Sequence, residues 1–169
     1  MDIRFGVVTV SDRSASGERV DASGPILVDA IQIQGWSVNK VVIIPDDLER
    51  IKATLATWAD SDQVDVILTT GGTGFAPRDV TPEGTQAILE RLVPGIPEVM
   101  RAESLKITPH AMLSRMTAGI RKNTLIINLP GSPKAALENF HVIKPVLEHA
   151  VKLLKDDPGS EQGHLATKQ

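Results

Sequence analysis

Three glycines in four positions follow a short apolar run, and this junction limits the folds open to the chain. Val64 to Leu68 is bounded by turn residues and has the length of a buried strand. It runs into Gly71-Gly72-Thr73-Gly74. Glycines there permit backbone conformations that other residues resist, and they keep no side chain between a ligand and the backbone amides. A nest of amides beyond the carboxyl end of a strand is an anion site. Asp79 follows, and an acid beside an anion site makes chemical sense when a metal ion or a transferring group sits between them. Thr81-Pro82-Glu83 predicts a helix start, as N-cap, first helical residue and first-turn acid. Taken alone, the same stretch also describes a plain Gly-rich strand-to-helix turn, with Asp79 as a local cap. The rest of the chain has to decide.

The rest reads as alternating strands and helices. Ile3 to Val10 is an apolar, β-branched strand, and Ser11-Asp12-Arg13-Ser14-Ala15-Ser16-Gly17 is a polar loop after it. Gly24 to Ile33 is helical and stops at Gly35. Trp36 to Ile44 is the next strand. Asp47 is placed to cap a helix over Leu48 to Ala59, where Ile51, Leu55 and Trp58 recur at helical spacing. With the strand at Val64 to Leu68, this alternation predicts an α/β fold, a three-layer sandwich on a mostly parallel sheet. Helices are then expected over Glu83–Leu92 and Pro94–Ile107, with a short turn at Pro109–Arg115. Ala118–Arg121 and Thr124–Leu129 form a hairpin pattern. A last helix spans Lys134–Lys155, with Pro145 predicted to kink or split it. Residues 1–155 read as one domain, and 156–169 as a disordered tail.

Composition excludes several functions. There are 169 residues, about one domain's worth, and 41% are hydrophobic, enough for a sizeable core. The net charge of −3 and the 3% of aromatics, with no tyrosine, speak against nucleic-acid binding. Cysteine is absent, which removes disulfides, thiolate metal sites and a cysteine nucleophile. No apolar run reaches the ~18 residues of a membrane span. Met1-Asp-Ile-Arg-Phe5 enters a strand directly, without the shape of a signal peptide. These readings predict a cytoplasmic protein. GGTG is neither a P-loop nor G-x-G-x-x-G, and the four histidines lack zinc-motif spacing.

In a parallel sheet the loops after successive strands emerge at one edge. Ser11-Asp12-Arg13, Ile44-Pro45-Asp46 and Thr69–Asp79 therefore converge, and Asp46 and Asp79 are expected in one cleft. Two carboxylates beside an amide nest suit a divalent cation that bridges phosphates. A solvated turn acid is the competing reading of Asp46. Between Arg101 and Lys122 lie five cations and one acid, Glu103. This is either a solvated face or a set of contacts in which Lys106 and Arg115, with Ser104 and Ser114, hold a phosphorylated substrate. Asn128-Leu-Pro130-Gly131 follows an apolar strand, and its amides and the Asn128 side chain are placed to read a purine or pterin edge. A rigid strand-to-helix turn is the alternative there.

Taken in order, Val10-Ser-Asp-Arg13, Ile44-Pro-Asp46, Thr69-Thr-Gly-Gly-Thr-Gly74, Pro77-Arg-Asp-Val-Thr-Pro-Glu83, Ser104-Leu-Lys106, Met112-Leu-Ser-Arg115 and Asn128-Leu-Pro-Gly131 resemble the MoaB/Mog family of molybdenum-cofactor biosynthesis. Within it the chain is most similar to molybdopterin adenylyltransferases, including the G domain of gephyrin and its plant counterpart. The resemblance covers about residues 3–155. It implies adenylylation of molybdopterin by ATP with Mg2+, release of pyrophosphate, a homotrimer, and hand-over of the product to a molybdenum insertase. It implies that Asp46 and Asp79 are the two important aspartates. Its pterin and nucleotide contacts fall on Gly71, Gly72, Thr73, Gly74, Ser104, Ser114 and the Asn128–Gly131 loop. Two alternatives share the pattern. One is a non-catalytic molybdopterin-binding or scaffold member. The other is the insertase itself, which is normally longer and begins its first loop with Thr-Gly-Asp, where this chain has Ser11-Asp12-Arg13.

Overall fold

The computed structural model describes residues 1–155. The expected tail at 156–169 lies outside the described residues. Six strands form one sheet in the order β2-β1-β3-β6-β5-β4. They are β1 (Arg4–Val10), β2 (Ser37–Ile44), β3 (Val66–Thr70), β4 (Arg91–Leu92), β5 (Ala118–Arg121) and β6 (Thr124–Leu129). β2, β1, β3 and β6 are parallel, and β5 and β4 extend the sheet antiparallel to their neighbours. The helices are α1 (Asp12–Ala15), α2 (Ser23–Ile33), α3 (Leu48–Asp60), α4 (Thr81–Gln86), α5 (Gly95–Leu105) and α6 (Pro133–Leu154), with a 3-10 turn at Pro109–Leu113.

Strand periodicity builds the layers. In β1, Phe5 and Val7 point into one core with α2 and α6, while Val8 and Val10 point into the other with α3. β3 and β6 alternate the same way, with Val66, Leu68, Leu125 and Ile127 on the first face and Ile67 and Ile126 on the second. A strand buried on both faces has no polar side, which is why these runs are continuously apolar. The α/β expectation is met. From β1 the chain moves outward to β2, then returns to the other side of β1 as β3. The order reverses between β1 and β3, and a crevice opens there at the carboxyl ends of the strands.

Four local expectations are corrected. The helix expected over Glu83–Leu92 ends at Gln86, because Arg91 and Leu92 pair with Ile120 and Gly119 as an edge strand. Leu92 is 64% exposed. Val80, not Thr81, holds the N-cap position of α4. The polar loop after β1 contains the single turn α1, which Ser11 caps by accepting from the Ser14 amide. Pro145 does not split α6, which runs unbroken for 22 residues. Phe140, Ile143, Leu147 and Val151 bury one face on both sides of the proline, so packing keeps the helix continuous despite the missing amide donor. No helix among the described residues is long and apolar enough to cross a membrane.

Candidate active site

The loops after β1, β2, β3 and β6 meet around a cleft of about 630 Å³. Gly71 and Gly72 form its floor with φ of 102° and 64°. A Cβ on Gly71 would collide with the Val10 carbonyl oxygen, and one on Gly72 with the Thr81 hydroxyl, so both turns need glycine. The Gly71 amide is engaged with Leu129 O at 3.3 Å. The amides of Gly72, Thr73 and Gly74 donate to no acceptor among the described residues, and these are the open part of the nest.

Asp46 and Asp79 both line this cleft, as expected. The Asp46 carboxylate accepts from the Asp12 amide at 2.8 Å, and the Asp46 amide donates to the Asp12 carboxylate at 3.0 Å. This reciprocal pair locks the loops after β1 and β2 together. Arg78 grips Asp12 with its Nε and with Nη2 at 2.9 Å, which ties the Gly loop to the same knot and holds the Asp12 carboxyl below the ordinary range. Burial pushes the Asp46 carboxyl up, and the negative charges of Asp12 and Asp79 add to this. Asp79 accepts from the Ala76 amide at 2.9 Å, which closes the loop on itself. One oxygen of each carboxylate, Oδ1, has no hydrogen-bond partner among the described residues. Asp47, the neighbouring acid, is occupied as the cap of α3, as expected, accepting from the Arg50 amide at 2.8 Å.

Thr73 and Gly74 face the other way, into a second and mostly apolar cavity of about 270 Å³. The Gly loop is thus the wall between two compartments. Ser104 and Ser114 line the second one, with Met116 and Pro130. The Ser114 hydroxyl is buried and has no partner among the described residues. Ser104 accepts at 3.2 Å from Asn139, which also donates to the Ala135 carbonyl. The apolar stripe of α6 hid Asn139 from sequence reasoning. Its only signal was an amide between Ala136 and Phe140 on a buried face.

Three predicted contacts move elsewhere. Asn128 is 0% exposed and does not reach either cavity. On β6 its side chain shares the face of Ile126, and it donates to Thr69 and Thr85 hydroxyls at 2.9 Å each. It braces β3 against α4 from within. Arg115 is the staple of the Gly loop, donating to the Gly74 carbonyl at 2.8 Å and the Asp79 carbonyl at 2.5 Å and pairing with Glu83. Its guanidinium shapes the loop rather than standing open to a phosphate. Lys106 is exposed and pairs with Glu103, one turn back on α5. By contrast, Ser11, Asp12 and Gly131 do line the first cleft, together with Arg13, Arg19 and Arg78.

Comparison with known proteins gives relatives over nearly the whole chain. It is 48% identical over 157 residues to the molybdenum cofactor synthesis protein cinnamon of Drosophila melanogaster, covering 92% of this chain and 26% of that one. The chain therefore spans about a quarter of that longer protein. It is 39% identical over 156 residues to the molybdopterin adenylyltransferase of Helicobacter pylori strain 26695, covering 90% of this chain and 88% of that one. The crystal structure of the molybdopterin biosynthesis enzyme MoaB from Thermus thermophilus superposes with a TM-score of 0.86 at 46% identity, covering 92% of this chain and 98% of that one. Sequence, sheet order and cleft point the same way: over residues 6–149 the chain matches, and belongs to, the MoCF_biosynth family, described as Probable molybdopterin binding domain.

Proposed function

We propose that this protein transfers the adenylyl group of ATP to molybdopterin and releases pyrophosphate. The observation that carries the reading is the Gly loop as a partition. Gly71 and Gly72 face a cleft lined by several charged side chains, two open acids among them, while Thr73 and Gly74 face a mostly apolar cavity with hydroxyls. A compartment lined by charged groups suits a nucleotide triphosphate, and an apolar one with few polar groups suits a flat heterocycle. Relatives named molybdopterin adenylyltransferase support the same assignment. The molybdopterin phosphate would then approach the α-phosphorus across the loop, and the amides of Gly72 to Gly74 would donate to the phosphate oxygens. The protein's task is to hold two anions in line. Ser104, Ser114 and Pro130 contact the pterin end. Ser11, Asp12 and Gly131 border the nucleotide end.

Magnesium fits the donor set. Each of Asp46 and Asp79 keeps one carboxylate oxygen without a partner among the described residues. No larger group of ligating side chains occurs among the described residues, as is usual for an ion that completes its shell with phosphate and water. When bound, the ion neutralises charge on the phosphates. Asp46 and Asp79 position it, and the Asp12–Arg78 pair orients Asp46. The family reading extends to a homotrimer, a molybdenum insertase as acceptor of the product, and a cytoplasmic setting. Val99 on α5, Ile107 in the link after it and Met112 on the 3-10 turn are 52%, 60% and 65% exposed, apolar surface that a second copy would cover. Light scattering should give three times the mass of one chain; a monomer would sink the trimer. Incubation with molybdopterin, ATP and Mg2+ should yield adenylyl-molybdopterin by mass. Binding of both ligands without product would identify a non-catalytic carrier instead.

A further inference from the structure

The charged groups around the first cleft divide into those satisfied within the protein and those that are not. Asp12 is held by Arg78. Asp21 accepts from the Thr9 hydroxyl at 2.6 Å and from the Ser23 and Gly24 amides at the start of α2. What remains is Asp46 and Asp79 on the loops after β2 and β3, and Arg13 and Arg19 on the segment after β1. Neither arginine forms an ion pair among the described residues. The Arg19 amide donates to the Arg13 carbonyl at 3.1 Å, which folds the segment so that both residues border the cleft. The nearest polar partner of the Arg19 guanidinium is the Ser11 hydroxyl, at a long 3.5 Å.

We propose that Arg13 and Arg19 bind the β- and γ-phosphates of the nucleotide and hold the pyrophosphate as it leaves. The inference rests on the adenylyl-transfer reading above. In that reaction an oxygen of the molybdopterin phosphate forms a bond to the α-phosphorus. The bond from the α-phosphorus to the α,β-bridging oxygen breaks, and its electron pair departs on pyrophosphate. Negative charge therefore grows on the leaving group, away from the attacking side. A cleft with unpaired carboxylates on the loops after β2 and β3 and unpaired guanidinium groups on the segment after β1, among the described residues, matches a polyphosphate that brings a cation with it. Guanidinium forks suit phosphate oxygens, and cations placed where charge develops lower the barrier. Arg78, although it borders the same cleft, is excluded by its bidentate grip on Asp12.

The test separates the triphosphate from its first phosphate. Calorimetric titration of the full chain with α,β-methylene-ATP and Mg2+, and separately with AMP, is run on the wild type, Arg13→Ala, Arg19→Ala and the double variant. Each single change is expected to weaken the ATP analogue roughly tenfold and leave AMP within about twofold, as for one lost charge-assisted bond. Product inhibition by pyrophosphate should weaken in parallel. Equal losses for both nucleotides, or an unchanged affinity for the ATP analogue, overturn the assignment while adenylyl transfer stands. A wild type that binds neither nucleotide overturns the adenylyl-transfer reading itself. Circular dichroism and thermal melts should match across the set, because both side chains are exposed.

Discussion

The two ends of the central strands treat the same residue type in opposite ways. At the amino end of β3, Asp65 is buried and fully engaged. Arg4 contacts it through its amide at 2.9 Å and its Nη2 at 2.7 Å, and Lys155 pairs with it at 2.8 Å. Burial pushes the Asp65 carboxyl up, but the hydrogen bonds from Arg4 and Lys155 outweigh it and hold it below the ordinary carboxylate range. At the carboxyl end, among the described residues, Asp46 and Asp79 keep an open oxygen each, three loop amides lack acceptors, and two arginines lack acids. The amino edge is closed by its own charges. The carboxyl edge is left open to a ligand's charges, and this difference marks the candidate site more clearly than the number of charged residues at either end.

The sharpest way to break the comparison is at the open acids. Asp79→Ala and Asp46→Ala are each expected to lower adenylyl transfer on the order of a hundredfold, about 3 kcal/mol of barrier, with thermal melts near those of the wild type. The two should be of similar severity, because Asp47 caps α3 and is not available to replace Asp46. Turnover close to wild type in either variant would remove that carboxylate from the site.

At the closed end the expected loss is in stability instead. Asp65→Ala leaves Arg4 and Lys155 without their acid. Both cations are about one-third exposed, so the cost is about 2 kcal/mol rather than that of a fully buried pair. Urea denaturation should report it, with kcat unchanged. The sign of the pH effect follows from a folded pKa lying below the unfolded one. The Asp65 contribution is full above the unfolded value of about 3.9 and is lost as pH falls through the folded value. The stability gap between wild type and Asp65→Asn should therefore be constant near neutrality and shrink below about pH 4. A gap that widens on acidification would refute the assignment.

Smaller effects sharpen the contrast within the carboxyl edge. Ser114→Ala removes a buried hydroxyl without a partner among the described residues and should weaken molybdopterin about five- to tenfold, with ATP unaffected. Lys106→Ala, which removes an exposed ammonium paired with Glu103, should change neither ligand. A titration in which Lys106→Ala outweighs Ser114→Ala would mean that the pterin lies outside the second cavity. Smallest is Asp47→Ala, expected to cost about 1 kcal/mol by loss of the α3 cap, with activity retained.

Much of this molecule was legible in one dimension. Continuous apolar runs marked strands buried on both faces, and strand–helix alternation marked a parallel sheet. That in turn brought Asp46 and Asp79 to one edge, because the loops after parallel strands emerge together. The Gly71–Gly72 turn was legible because only glycine tolerates its φ and its crowding against Val10 and Thr81. The role of each remaining polar group was not. Arg115 and Lys106 look alike in the sequence, as do Asp46 and Asp47, and a side chain's function depends on whether a distant neighbour already satisfies it. Glu83 and the loop carbonyls take Arg115, the α3 amide takes Asp47, and threonines from β3 and α4 take Asn128. The sequence by itself determined the central strands of the sheet, the glycine turn and the edge at which acids gather, since local propensity and strand period carry these. Only the tertiary structure decided which charges were closed by partners up to tens of residues away and which were left open, since hydrogen bonds and ion pairs between loops depend on distance in space.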